Sequence, residues 1–385
     1  MRYFDHAATT PPYDEVTRTI AEVMALHYGN PSSLHRLGEE SGKLLRRARE
    51  VCAGALGVMP GEIVFTSGAT ESNNMAIKGA ALQYVNRGKH LITTVTEHPS
   101  VYECCRQLEQ WGWEVTFLPV NKEGRVSVGQ VEEAIRKDTV LVSVMHVNNE
   151  TGSVQPVAEI GSLLKEKYPR VLFHVDGVQG FGKIELPIKE SGIDLYSLSA
   201  HKLRGPKGIG LLYVRDGVTL QPLLAGGGQE EGRRPGTENI PYAVGMSKAI
   251  RLAKEGGPER AVHLRSLKDK LIRGIATLPE LELNSALEET HGAPHIVHFS
   301  YPGMKSEAFL HMLEEEGFLV STRSACSSKR AEPSRILLAM GKSPEAAAAG
   351  IRISLGEEHT EKDIADLLEA LNKCVRRVRN LKGER

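Results

Sequence analysis

Seven short apolar runs recur between residues 60 and 250, at 63–66, 90–96, 114–120, 139–147, 171–176, 193–199 and 209–214. Runs with apolar residues at helical spacing separate several of them, among them 71–86, 101–111 and 157–168. Strands that alternate with helices pair in parallel, because the helix supplies the long crossover a parallel pair needs. The pattern therefore predicts an α/β fold, with a mainly parallel seven-stranded sheet and helices on both faces. Ligands of such sheets bind beyond the carboxyl ends of the strands. The polar residues at those ends are Thr70, His98, Asn149, Asp176 and the segment 199–202.

A chain of 385 residues exceeds one simple core, and two domains are expected. A Gly/Pro/Glu cluster at 254–259 marks the boundary. A helix at 260–278, strands at 295–300 and 351–355, and helices at 306–316 and 361–379 then read as a smaller α+β domain. The N-terminal arm, with Pro11 and Pro12, is expected to pack on it. The large domain is thus 14–256, and the small domain 1–13 with 257–385. Basic and acidic residues balance at 48 each, which argues against a global nucleic-acid or membrane footprint. The start lacks the apolar core of a signal peptide, and no run reaches the ~20 apolar residues of a membrane helix. A cytoplasmic location is expected. The five cysteines contain no CxxC pair, so no metal site of the chain's own is expected, and reduced thiols are.

Four stretches carry chemistry. Thr66-Ser67-Gly68-Ala69-Thr70-Glu71-Ser72-Asn73 follows a strand and opens a helix, a setting that favours an anion. It matches neither GxxxxGK[ST] nor GxGxxG, and it reads equally as a capped helix. Asp176 ends an apolar run, with Gln179 three residues later. Ser199-Ala200-His201-Lys202 ends another, and a desolvated lysine there is a nucleophile toward aldehydes. Lys207 is the rival lysine, in the turn Gly205-Pro206-Lys207-Gly208, where exposure is expected. His98 follows a further strand, where a neutral imidazole can stack on a ring and move protons. A lysine, an acid for a pyridinium nitrogen and donors for an oxygen and a phosphate are the parts that hold pyridoxal 5'-phosphate. Each part alone also reads as a turn cap, a solvated lysine or a buried histidine.

In this order the motifs resemble the NifS/IscS-type cysteine desulfurases, fold type I pyridoxal-phosphate enzymes of the class V aminotransferase family. The likeness runs from Asp5-His6-Ala7-Ala8-Thr9-Thr10 and Gly29-Asn30-Pro31-Ser32-Ser33 through 66–74, Glu97-His98, Val147-Asn148-Asn149-Glu150 and 174–179. It continues through His201-Lys202, 234–239, Ser324-Ala325-Cys326 and 352–356. The resemblance implies that Ala69, Thr70, Ser199, Ala200 and His201 contact the cofactor phosphate. Asn149 and Gln179 would hold the phenolic oxygen, with Asn148 adjacent and decided by alignment alone. Asp176 would hold the ring nitrogen, His98 the ring face, and Lys202 the cofactor aldehyde. Thr237 would reach the phosphate of a second subunit, implying a homodimer. Arg352 would clamp the substrate carboxylate, with Asn30 assisting and Arg335 as the alternative clamp.

Cys326 is the implied nucleophile. Residues 321–330 hold no apolar side chain larger than alanine, and Arg323, Lys329 and Arg330 favour a thiolate. The loop is placed at about 321–333. The other four cysteines fall in helix-like patterns. The implied activity converts L-cysteine to L-alanine and leaves a persulfide on Cys326. The sulfur then passes to an acceptor protein, an iron–sulfur scaffold or a tRNA-thiolating enzyme, and Cys326 can join a scaffold-bound cluster. A selenocysteine lyase, or another enzyme of the class V aminotransferase fold, is the alternative. Ala200 and Arg323 stand where the family often has glycine, and the loop through Glu332-Pro333-Ser334 resembles its long-loop branch.

Overall fold

The computed structural model describes residues 1–322 and 333–382. Seven strands form the main sheet: β1 (Ile63–Thr66), β2 (His90–Thr94), β3 (Glu114–Leu118), β4 (Thr139–Ser143), β5 (Leu172–Asp176), β6 (Leu195–Ser199) and β7 (Gly210–Val214). Their order is β1-β7-β6-β5-β4-β2-β3. Pairs from β6 to β3 are parallel, and β7 runs antiparallel to both β6 and β1. Every residue of β5 and β6 is buried, whereas the edge strand β3 begins with the exposed Glu114. That is why the central strands read as continuous apolar runs rather than as alternations.

The pleat still sorts side chains between two layers. Phe65, Ile92, Val142, Phe173 and Tyr196 join the core on one face. Val64, Leu91, Leu141, Leu172 and Leu195 join the core on the other. Helices Arg36–Leu56, Val157–Lys167 and Ile240–Glu255 supply the first layer, and Ala69–Gln83 and Pro99–Gln110 the second.

Three expected strands stop early at their carboxyl ends. The run 139–147 is a strand only to Ser143, 90–96 only to Thr94, and 114–120 only to Leu118. Beyond those points the chain leaves the ladder but stays bonded. Val144 N–H reaches the His174 carbonyl, His146 N–H the Asp176 carbonyl, and Met145 N–H the Glu97 carboxylate. The apolar character continues because these segments line an interior, not because they pair.

A third core gathers around the antiparallel sheet Gly350–Ser354, Ile296–Ser300 and Glu282–Leu283, covered by Gly257–Ile275, Ser306–Glu315 and Glu361–Lys382. The arm joins it: Arg2–Tyr3 pairs in parallel with Phe318–Leu319, and Phe4 is buried there. Helix Ile240–Glu255 ends at Gly256, and the next helix starts at once with Gly257, earlier than the expected 260. Pro258 fits that first turn, where its missing N–H removes no helical bond.

A buried ion pair fastens the strand that leads to the phosphate-type loop. Arg49 Nη1 and Nη2 donate to Glu230 at 2.8 and 2.6 Å, and Glu230 also accepts the Phe65 N–H at 3.1 Å. Glu230 sits at φ 49°, a strained region for a residue with a side chain. Glu230→Ala would leave the largely covered Arg49 charge without its carboxylate. It should lower the unfolding free energy by roughly 3 kcal/mol, measured by urea denaturation, with Glu231→Ala near neutral because that side chain is largely exposed.

Candidate active site

A cleft of about 460 Å³ opens at the carboxyl ends of β1, β2, β4, β5 and β6. Each strand delivers one part to it, as the topology of parallel strands requires. From β1 come Ser67, Gly68, Ala69 and Thr70, where the helix Ala69–Gln83 starts. The open amides of a helix start carry partial positive charge. Gly68 at φ 153° makes that turn. Ser67 N–H is already held by Glu71, whose carboxylate is paired with Arg234 at 2.8 Å.

From β5 comes Asp176, 5% exposed. Its Oδ2 accepts from Asn73 Nδ2 at 2.8 Å and its Oδ1 from Val178 N–H at 3.1 Å. Burial pushes its carboxyl up, while these two donors and the Lys202 charge oppose the rise. From β2 comes His98, the N-cap of helix Pro99–Gln110. Its Nδ1 lies 2.8 Å from Ser100 Oγ and accepts the Ser100 N–H at 3.2 Å. Burial, then the Lys202 and Arg335 charges, push this imidazole down to about 4. His98 is therefore neutral at ordinary pH.

From β6 come Ser199, His201 and Lys202. Ala200 is fully buried and does not line the cleft. Lys202 Nζ donates to the carbonyls of Ala7 and Ala8 at 2.5 and 2.6 Å. Lys207 is exposed, as its turn predicts, and also reaches the rim of the cleft. Gln179 donates to the Ala7 carbonyl at 2.9 Å, and its Oε1 lies 3.2 Å from His295 Nε2.

The two asparagines after β4 are told apart by their bonds. Asn148 is used up inside the fold: it donates to the Thr96 carbonyl and accepts the N–H groups of Glu150 and Thr151. Asn149 lines the cleft, and its buried Oδ1 has no protein partner. The two arginines separate in the same way. Arg352 is 1% exposed and lines the cleft. It donates to the Asn149 carbonyl at 2.7 Å and to Asp5 Oδ1 at 2.8 Å, while its buried Nε lacks a partner. Arg335 instead donates to the Glu97 carbonyl at 2.8 Å and stacks on the Tyr102 ring.

Cys326 lies outside the described residues. The described residues on either side of its segment are fastened near the cleft. Ser321 pairs through its backbone with Arg352, and Ser334 Oγ donates to Glu150 at 2.7 Å. Thr237 and Asn30 are exposed and do not line this cleft. Sequence reasoning missed Asn73, Ser100 and Asp5, which hold Asp176, His98 and Arg352 in turn. Asn73 and Asp5 stand inside motifs already singled out, but no periodicity there tells which side chain faces inward.

These groups fit pyridoxal phosphate. An amine, a bonded acid on the floor, an unpartnered amide oxygen and a helix start face one volume. The depressed imidazole has a consequence for stability. Below about pH 6.5, the ordinary imidazole value, the unfolded chain takes up a proton that folded His98 refuses until about 4. Stability should therefore fall as pH drops through that window. Urea midpoints measured across it should show the fall, and His98→Gln should make the slope shallower.

The class-V aminotransferase family matches residues 2–367. The chain is 43% identical over 380 residues to the cysteine desulfurase IscS of Clostridium botulinum, covering 98% of this chain and 95% of that one. It is 43% identical to cysteine desulfurase IscS of Methanosarcina thermophila, covering 98% and 93%. A solved NifS-like protein superposes with a TM-score of 0.91 at 38% identity, over 98% of this chain and 99% of the other. A structure of SspA in complex with cysteine superposes at 0.81 and 37% identity, over 94% and 100%. With agreement along the whole chain in both sequence and fold, the chain belongs to the class-V aminotransferase family, among the NifS/IscS-type cysteine desulfurases.

Proposed function

We propose that this protein takes sulfur from L-cysteine, releases L-alanine and carries the sulfur as a persulfide on Cys326. One observation carries the reading: Lys202, Asp176, His98 and Arg352 share one cleft, and Ser321, close before the Cys326 segment, pairs with Arg352 itself. Pyridoxal phosphate, when bound, supplies an electron sink for the substrate's α-carbon.

The chain's own residues do the rest. The helix start at Ala69 and Thr70, with Ser199 and His201, holds the phosphate, and Ala200, buried beneath, keeps no group for it. Asn149 and Gln179 serve the phenolic oxygen. The Asp176 carboxylate keeps the ring nitrogen protonated, because a neighbouring anion favours the cation. His98 covers the ring face and passes protons through Nε2. Lys202 anchors the cofactor aldehyde and then moves the α-proton. Arg352 grips the substrate carboxylate through its planar fork, while Asp5 keeps that fork from turning. The Cys326 thiolate then bonds to the substrate sulfur, and the carbon–sulfur bond breaks. Its electron pair stays on carbon, which takes up a proton on the way to alanine. The Cys326 sulfur is oxidised to the persulfide as the carbon is reduced.

Thr237 and Asn30 serve a second subunit's cleft. Their exposure here supports that role, as does the stretch 24–37, where Tyr28 is 73% exposed and Leu34 fully so. Apolar side chains exposed together mark an interaction surface. The protein thus works as a homodimer. Residues 14–256 form its cofactor-binding domain, and 1–13 with 257–385 the domain that carries the cysteine. The sulfur goes to an acceptor protein of iron–sulfur assembly or tRNA thiolation. Among the described residues no helix is long and apolar enough to cross a membrane. The described cysteines, Cys52, Cys104, Cys105 and Cys374, are unpaired, which supports a reducing, cytoplasmic setting.

Cys326→Ser should keep the visible cofactor absorption and lose alanine release from L-cysteine by roughly 100-fold or more. Full alanine production by that variant would sink the persulfide route. Lys202→Ala should lose the band of covalently held cofactor. Sedimentation should give a dimer, and Leu34→Asp should shift it toward monomer.

A further inference from the structure

Asn73 is fully buried in the second turn of helix Ala69–Gln83, with no assigned part in the chemistry. Its amide has two hydrogens, and both are spent inside the site. One goes to Asp176 Oδ2 at 2.8 Å and the other to Ser100 Oγ at 2.8 Å. Ser100 has a single hydroxyl hydrogen. Its oxygen lies 2.8 Å from His98 Nδ1, and because that nitrogen already acts as an acceptor, the hydrogen points to it. The Ser100 backbone N–H donates to the same nitrogen. His98 Nδ1 receives two donors, so it carries no hydrogen, and the imidazole proton sits on Nε2.

We infer that Asn73 is a positioning residue that holds Asp176 as an acceptor and orders the Ser100 hydroxyl as a second donor to His98 Nδ1, reinforcing the Nε2–H form that the Ser100 backbone N–H already imposes. The inference rests on the function proposed above for what Asp176 and His98 face. The direction of the chain follows from charge. If the Asn73 amide were reversed, its oxygen would oppose Asp176 Oδ2, two acceptors at hydrogen-bond distance in a buried site. It would also draw the Ser100 hydrogen to itself, leaving His98 Nδ1 with only the backbone donor. The carboxylate of Asp176 therefore selects the amide orientation, and Ser100 relays the choice to His98. Two catalytic groups on different strands are tied together through one side chain that touches no substrate. The Asn73 oxygen, left without a protein partner, is the residue of that arrangement.

The test uses histidine-labelled holoenzyme and reads ring-nitrogen spectra, with His98 assigned by its loss in His98→Gln. In the unmodified protein His98 should show an unprotonated Nδ1 and a protonated Nε2. Asn73→Asp places a carboxylate where the amide donated. It should share a proton with Asp176 and capture the Ser100 hydrogen, leaving His98 Nδ1 with the backbone donor alone, so that the Nδ1 signal shifts while the proton stays on Nε2. Cofactor affinity, read by titrating stripped protein with pyridoxal phosphate, should weaken about 10- to 100-fold. Asn73→Leu should weaken affinity similarly but leave the His98 pattern in place, since Ser100 keeps its hydrogen for Nδ1. A protonated Nδ1 in the unmodified protein overturns the inference, and that result needs no variant to fold. An unmoved His98 Nδ1 signal and unchanged affinity in Asn73→Asp overturn it too. If the holoenzyme yields no alanine from L-cysteine, the proposed function fails, while the spectra and the titration still decide the role of Asn73.

Discussion

A carboxylate buried at the end of an apolar strand is the constraint around which this cleft is arranged. Asp176 ends β5 with almost no exposure, and an unpaired charge there would be expensive. Its two oxygens take one amide hydrogen from Asn73 and one backbone N–H from Val178. Those donors oppose the rise that burial imposes on its carboxyl. Satisfying Asp176 fixes the Asn73 amide, the amide fixes the Ser100 hydroxyl, and the hydroxyl fixes the His98 ring. Asp176 and His98 are thus not independent.

A second constraint is the N-terminal arm, which runs between the core around the main sheet and the core around the antiparallel one. Phe4 is buried in the latter. Asp5 holds Arg352, and Ala7 N–H donates to Ser354 Oγ at 2.8 Å. The Ala7 carbonyl, in turn, receives both Lys202 and Gln179. Four residues of irregular chain therefore connect the arginine of one sheet to the lysine of the other. A short segment with no helix or ladder of its own can do this because the Asp5, Ala7 and Ala8 carbonyls, the Ala7 and Ala8 N–H groups and the Asp5 side chain are all bonded.

Much of the fold was legible in the sequence. Buried parallel strands read as apolar runs, and the helices between them carry one apolar face. Strand ends were less legible, because the segment after β4 stays apolar where it turns from the ladder into the cleft. The candidate site was legible in part. Asp176, His98 and Lys202 stand at strand ends, where the topology sends ligands. Asn148 and Asn149 could not be separated by chemistry, since both are asparagines in one apolar setting. Only the bonds that enclose Asn148 tell them apart. Arg335 and Arg352 posed the same problem: a ring and a carbonyl engage the one, and the other lines the cleft.

By itself the sequence determined the alternation of strands and helices, and with it the single end of the sheet where a ligand can lie. It also named the reactive residue types, because an amine, a carboxylate, an imidazole and a thiol carry their chemistry wherever they stand. The tertiary structure decided which copies of those types face one another. It turned Asn149 and Arg352 to the cleft and gave Asn148 and Arg335 other partners, and it bound His98 to Asp176 through Asn73 and Ser100. The physical reason is that periodicity records burial along one element, whereas hydrogen-bond partners come from other elements. Residues 73, 100 and 176 are brought within hydrogen-bond distance by the packing of a helix start, a helix cap and a strand end, and no local spacing encodes that meeting.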